Sequence, residues 1–245
     1  MDKERFLEIK NEFLLADKEC YGIGTLKEKT VHGILKNYFA PDRDMQEIPI
    51  NGYVADIYTG KEIFEIQTAH FDKLRNKLES FLQEYPVTVI YPVPHIKWLS
   101  WINEETGECS SFRKSPVKGN VYKAFYELYK IKMYLKHPNL RILIVLLDVE
   151  EYRLLNGYSQ DRKKGSVRYD RIPVELVDEI LFERTEDYMQ IIPYHLDEEF
   201  TVSDFAKEAG IKNKEAQQVM HILHYLNIVK KCGKRGRAYL YMVNE

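Results

Sequence analysis

The chain has 245 residues, with 36 Lys and Arg against 38 Asp and Glu for a formal charge of −2, and 44% apolar against 30% charged residues. That length suits one large domain or two smaller ones, and the balance excludes disordered and collagen-like classes. The longest clean aliphatic run, Ile142 to Leu147, falls far short of the roughly 20 residues that cross a bilayer, so no membrane partner is expected. The opening MDKERFLEIK interleaves charged and apolar side chains, unlike a secretory leader. Cys20, Cys109 and Cys232 are too scattered for a disulfide framework or a zinc site. A reducing cytoplasm is the expected location.

Leu26 to Phe39 places Val31, Leu35, Tyr38 and Phe39 at helical spacing and stops at Pro41. Ile48 to Ile57 and Glu62 to Thr68 are runs of Ile, Val, Tyr and Phe joined by Tyr58-Thr59-Gly60-Lys61, which predicts a hairpin. Phe71, Leu74, Leu78, Phe81 and Leu82 then mark one face of a helix. VTVIYPV, from Val87 to Val93, reads as a strand buried on both faces. Lys97 to Asn103 and Glu108 to Arg113 flank Glu104-Glu105-Thr106-Gly107, a second hairpin, followed by the basic loop RKSPVKGN. Asn120 is placed to cap a helix running to about Leu135, whose stripe of Tyr122, Phe125, Tyr126 and Tyr129 is expected in the core. Leu140 to Val149 is another buried strand, with Asp148, Glu150 and Glu151 solvating its end. The alternation predicts an α/β fold, a mixed sheet with flanking helices.

After Asn156-Gly157 the pattern breaks into DRKKGSVRYDR, from Asp161 to Arg171, where a domain boundary is expected. The sequence therefore divides into residues 1–157, a basic, helical linker at 158–195, and a small domain at 196–245. In that last segment, Thr201 to Gly210 and Lys214 to Leu226 form two helices, and Ile228 to Lys231 and Arg237 to Val243 flank Cys232-Gly233-Lys234-Arg235-Gly236. Two helices followed by a basic-tipped hairpin predict a winged helix-turn-helix. From Thr201 to Glu245 eight basic residues against four acidic ones leave a charge of +4. Such local positive potential suits double-stranded DNA. Lys212, Lys214, Gln217, Gln218 and His221 occupy the start and outward side of the second helix, where this motif meets the major groove. Lys230, Lys231, Lys234, Arg235 and Arg237 would reach backbone phosphates from the hairpin. A winged helix used for protein contacts is the alternative.

GYVADIYTGKEIFEIQT is the sharpest local pattern. Asp56 lies on one arm of the first hairpin, and Glu65 and Gln67, two apart on the other, share a sheet face. Burying two acids among Ala55, Ile57, Phe64 and Ile66 requires a neutralising partner, and a divalent cation, Mg²⁺ or Mn²⁺, meets that need. Two carboxylates with such an ion could activate water for phosphoryl displacement. Glu28 and His32, four apart, share one helix face, and Glu28 could complete the acidic ring. The alternatives are a hairpin with solvated acids, a solvated Glu28 and a hydrogen-bonded packing histidine.

A helix carrying Glu28, Asp56 on one strand, Glu65-Ile66-Gln67 on the next and a following helix resembles the core of PD-(D/E)XK nucleases, in the arrangement of Holliday junction resolvases. The resemblance implies a restriction-endonuclease-like sheet, metal held by Asp56, Glu65 and the Ile66 carbonyl, and catalysis by Asp56, Glu65, Gln67 and Glu28. The last motif position, usually Lys, is Gln67 here, which removes a positive charge. The chain also resembles prokaryotic proteins of unknown function with EKxxHxxLK and EIQTxxF motifs, matched by Glu28-Lys29, His32, Leu35-Lys36, Glu65-Ile66-Gln67-Thr68 and Phe71, and further by Gly52-Tyr53, Tyr91-Pro92 and Lys97-Trp98. The expected function is a DNA-binding protein acting as a Mg²⁺-dependent endonuclease, possible as a homodimer. The rival is a non-catalytic DNA-binding regulator or scaffold, which Gln67 favours, and a third reading is a protein-interaction module.

Overall fold

The computed structural model describes residues 2–20, 30–157 and 165–244. Gln46–Ile50 (β1) and Tyr53–Tyr58 (β2) are separate strands. They break at Asn51-Gly52, with φ of 50° and 80°. The single arm expected over Ile48 to Ile57 is therefore two, because Asn-Gly is the dipeptide that tolerates consecutive left-handed residues. Ile63–Ile66 (β3) pairs with β2 antiparallel and with Val87–Asn103 (β4) parallel. Between them, a 3-10 turn at Phe71–Leu74 leads into Arg75–Phe81, and the expected residues Phe71, Leu74, Leu78, Phe81 and Leu82 are all buried.

Upstream, Lys3–Cys20 (α1) and Thr30–Phe39 (α2) precede that helix, which is α3 (Arg75–Phe81). α1 was not expected, although Phe6, Ile9 and Phe13 stand at helical spacing. Phe6 is fully buried, edge-on to Tyr38 at 5.5 Å between ring centres. β4 joins what the sequence suggested were two strands. Pro92 and Pro94 are two apart, so their missing donors fall on one edge. The next donor on that edge, Ile96 N–H, goes to the Asp148 carboxylate at 2.9 Å. The second hairpin holds: Arg113–Lys114 (β5) pairs with β4, Trp98 opposite Lys114, and Ile102 bridges Cys109.

The expected helix from Asn120 to Leu135 is a 3-10 turn at Val121–Ala124, a short α4 at Phe125–Leu128, and a second 3-10 stretch at Tyr129–Tyr134 kinked at Ile131. Asn120 does not cap it; its Oδ1 is buried with no hydrogen-bond partner among the described residues. The shorter 3-10 period puts Phe125, Leu128 and Ile131 inside and leaves Tyr126 (62%) and Tyr129 (39%) exposed, so the expected aromatic core stripe reduces to Phe125, while Tyr122 donates its hydroxyl to the Ile191 carbonyl.

Leu140–Leu155 (β6) runs six residues past Val149. Within the stretch expected as a helical linker lies a 16-residue strand, Val167–Phe182 (β7). Its charges obscured it in the sequence, yet several are satisfied within the fold: Arg171 by Glu151, Glu175 by Lys3. Hydrogen-bonded neighbours run β1-β2-β3-β4-β6-β7, with β5 beside β4, a mixed sheet with flanking helices as expected. After a 3-10 turn at Thr185–Ile191 come Val202–Glu208 (α5), Asn213–Tyr225 (α6), and the antiparallel pair Val229–Arg235 (β8) and Ala238–Val243 (β9).

Contacts divide the chain into two compact units: residues 1–46, 92–120 and 145–179, and residues 47–91, 121–144 and 180–245. Among the described residues, no helix is long and apolar enough to cross a membrane.

In the first unit, Gly119 N–H donates to the His95 carbonyl at 2.8 Å, which holds the loop so close that a Cβ on Gly119 would lie 2.0 Å from the Pro94 carbonyl oxygen. That neighbour is backbone and cannot swing aside. Gly119→Ala is therefore expected to cost about 1–3 kcal/mol in urea unfolding, whereas Ala at Gly107, whose Cβ would meet open space, carries only the strain of its φ of 72°.

Candidate functional site

The β2–β3 register sets Ile57 opposite Phe64, and one step further along lie Asp56 and Glu65, so both acids project from the same sheet face. Each bonds to the other arm's backbone. Asp56 Oδ2 accepts from Ile66 N–H at 2.7 Å, and Glu65 Oε1 accepts from Asp56 N–H at 3.3 Å. Glu65 is only 2% exposed, and its second oxygen accepts from Lys77 Nζ at 2.5 Å. Lys77 comes from α3, with its ammonium 5.8 Å from the centre of the Phe81 ring one turn on. Burial first, and then the Asp56 charge, push the Glu65 carboxyl up to about 7 in spite of Lys77.

The pair of acids thus forms as expected, but the cation beside it is a lysine. Gln67 turns away and donates its amide to the Ala69 carbonyl in its own loop. Ile66 is buried, with its N–H given to Asp56. Glu28 lies outside the described residues. Asp56 Oδ2 and both Glu65 oxygens accept a hydrogen bond or ion pair, and no group of three or more His, Cys, Asp or Glu able to hold a metal occurs among the described residues. This arrangement does not fit Mg²⁺ without displacing Lys77. Sequence reasoning missed Lys77, which lies 12 residues from Glu65 and is brought there only by the docking of α3.

In the C-terminal elements, Thr201 caps α5 through a reciprocal pair of bonds with Asp204, and Phe200 bridges Tyr241 of β9. α6 buries Ala216, Val219, Met220, Ile222 and Leu223. Of its predicted DNA-facing residues, Lys212, Lys214, Gln217 and His221 are exposed. Lys212, Lys214 and Gln218 line a groove with Tyr122, Tyr126 and Lys123, and His221 lies 3.0 Å from Lys132 and tilts against the Tyr129 ring. A further bond ties Lys123 to Glu215 at 3.0 Å.

The hairpin turn is tighter than expected, at Gly236-Arg237 with Gly236 at φ 64°, so Cys232 to Arg235 belong to the β8 arm. Lys230, Lys231, Lys234, Arg235 and Arg237 are all exposed. Lys231 and Lys234 stand 4.1 and 5.1 Å from the centre of the Tyr239 ring, and Arg235 pairs with Asp204 at 3.1 Å.

Residues 29–183 match the family described as a domain of unknown function, DUF8091. The chain belongs to this family. The DUF8091 segment ends one residue beyond β7, so it takes in the sheet and leaves out α5 to β9. An uncharacterised protein of Treponema pallidum (strain Nichols) is 28% identical over 221 residues, 89% of this chain and 86% of that relative, a longer stretch than the DUF8091 segment. No solved structure matches.

The structure also corrects the reading of the β6 acids as strand-end solvation. Asp148 and Glu151 are inside the strand, 8% and 2% exposed. Asp148 pairs with His95 Nδ1 at 2.8 Å. Glu151 is held between two arginines.

Proposed function

We propose that the protein binds double-stranded DNA through a C-terminal winged helix-turn-helix, carried on a restriction-endonuclease-like sheet whose carboxylate pair is closed by Lys77. The observation that carries this reading is the exposed basic hairpin, where Lys230, Lys231, Lys234 and Arg237 stand clear of any carboxylate among the described residues. With Lys212, Lys214 and Gln218 lining a groove against the 121–134 segment and His221 beside Lys132, contact is led by the hairpin, and the exposed ends of Lys212, Lys214 and Gln217 stand beside it. Phosphate contacts of this kind orient a protein on DNA without reading its sequence. The expected result is nanomolar to micromolar binding to short duplexes at low salt, with a log–log salt slope of roughly −4 to −6, measured by fluorescence anisotropy. Absent binding at low salt leaves the protein-interaction reading.

The juxtaposed Asp56 and Glu65 favour a second reading, phosphodiester cleavage dependent on Mg²⁺ or Mn²⁺, which requires Lys77 to leave Glu65. Cutting that needs the added ion and disappears in Asp56→Asn and Glu65→Gln supports it. A protein that binds duplex but never nicks it, with either ion, is the regulator or scaffold.

A further inference from the structure

The segment from Tyr122 to Lys136 and the side of α6 that faces it, both in the second unit, alternate aromatic rings with ammonium groups. Tyr122, Lys123 and Tyr126 line one side of an open groove of about 240 Å³, and Lys212, Lys214 and Gln218 line the other. Glu215, the one acid in that lining, is neutralised by Lys123 at 3.0 Å. Beyond the groove, Tyr129 stands 4.9 Å from the His221 ring, and the Lys132 ammonium lies 5.0 and 5.5 Å from the centres of the Tyr129 and Tyr225 rings. Lys136 ends the row, 4.9 Å from Tyr225.

Tyr126, Tyr129 and Met133 are exposed and three and four residues apart, so they make one apolar stripe. Contiguous apolar surface left open to water marks a binding face, and its rim selects the charge of what binds. Lys132, Lys136, Lys212 and Lys214 have no carboxylate partner among the described residues, whereas neighbouring Lys130 is held by Glu127 at 2.7 Å and Asp72 at 3.6 Å. α6 begins at Asn213, between two of these lysines, and adds the positive end of its dipole. The groove is smaller than the roughly 300–1,000 Å³ that encloses a drug-sized ligand, so it suits one flat ring whose anionic chain continues outside. Aromatic platforms for bases with spaced cations for phosphates are how proteins hold unpaired strands. A duplex keeps its base faces stacked inside and offers the tyrosines nothing.

We infer that this face binds single-stranded nucleic acid. An unpaired base stacks on Tyr126 in the groove, its phosphate meets Lys212 and Lys214, and the strand runs on past Tyr129 and His221 towards Lys132 and Lys136. It is a surface separate in its chemistry from the duplex-binding hairpin, which carries no part of it.

The test is fluorescence anisotropy of the full chain with a labelled oligothymidylate of about 16 nucleotides, which forms no duplex. Saturable binding at low salt is expected. Tyr126→Ala should weaken it about tenfold, the stacking of one base, while Tyr126→Phe keeps it. Lys212→Gln with Lys214→Gln should make the log–log salt slope shallower by about 1.4, two phosphates on a single strand. All three side chains are exposed, and thermal unfolding checks that the variants remain folded. With Lys230, Lys234 and Arg237 reversed to Glu, oligonucleotide binding should persist and stay sensitive to Tyr126→Ala, which separates this face from the hairpin. Absent binding at low salt, unchanged affinity in Tyr126→Ala, an equal loss in Tyr126→Phe, or binding abolished by the hairpin reversal overturns the proposal. Displacement of the oligonucleotide by polyglutamate at matched charge overturns it too, in favour of an acidic protein partner.

Discussion

Lys77→Met is expected to destabilise the protein by roughly 1–2 kcal/mol more near pH 8 than around pH 5, because the charge-dependent loss is capped by the cost of protonating Glu65 about one pH unit above its folded value of about 7. The ammonium of Lys77 is the only cation bonded to Glu65 among the described residues, and Glu65 is almost completely buried. Removing it strands an ionised carboxylate, unless that carboxylate takes up a proton. The folded Glu65 has its pKa raised to about 7 by burial and by Asp56, against roughly 4.3 in an unfolded chain. A raised carboxyl means that the folded state binds the extra proton between those values. Its stabilising contribution is therefore complete below the unfolded value and is lost as pH rises through about 7. The wild type should lose about 3–4 kcal/mol across that window, and Glu65→Gln should flatten the curve. In Lys77→Met the acid can still be kept neutral at low pH, so the penalty concentrates above neutrality. Urea unfolding at both pH values, with the Lys77→Met/Glu65→Gln double variant closing the cycle, measures it. An equal penalty at both pH values would mean that the loss is packing against Phe81 and not charge.

The same pair links stability to chemistry. Lys77 brings a positive charge to Glu65 from a helix and occupies an oxygen that an ion would need, while Gln67 bonds within its own loop. Whether the face binds metal is thus governed by how firmly α3 is docked.

What could be read from the sequence followed from how locally each feature is encoded. The β2–β3 hairpin and its two acids were legible because strand alternation and a Gly60 turn fix which residues meet, with no help from the rest of the chain. Lys77 was not, since on the helix it is one more charged residue and only tertiary docking aims it at Glu65. β7 was hidden for a related reason. Arg168, Asp170, Arg171, Glu175 and Asp178 read as a solvated linker, and the partners that make some of them tolerable in a sheet, Glu151, Thr30 and Lys3, lie up to 172 residues away. The helices and hairpin of the C-terminal elements were legible in order and nearly in extent. The contact of Gln218 and His221 with the 121–134 segment was not, because an outward stripe looks the same whether it faces solvent or a neighbouring element.

In the proposed DNA-binding reading, that contact makes the hairpin the leading element. Reversing Lys230, Lys234 and Arg237 to Glu is expected to weaken duplex binding by roughly 10²–10³-fold at about 0.1 M salt and to make the salt slope shallower by about 3. Each of these cations would release close to one condensed counterion on reaching a phosphate, and all three side chains are exposed. Their removal should therefore change stability by no more than about 0.5 kcal/mol, which thermal unfolding checks. Arg235→Gln is the contrasting variant: Arg235 is already paired with Asp204 at 3.1 Å, so its loss should disturb the α5 cap more than DNA affinity. Lys212→Gln with Lys214→Gln should lower the slope by at most about 2. If instead the hairpin reversal leaves the slope intact while the α6 lysines account for it, the helix approaches DNA directly, and α6 must swing clear of the 121–134 segment to do so.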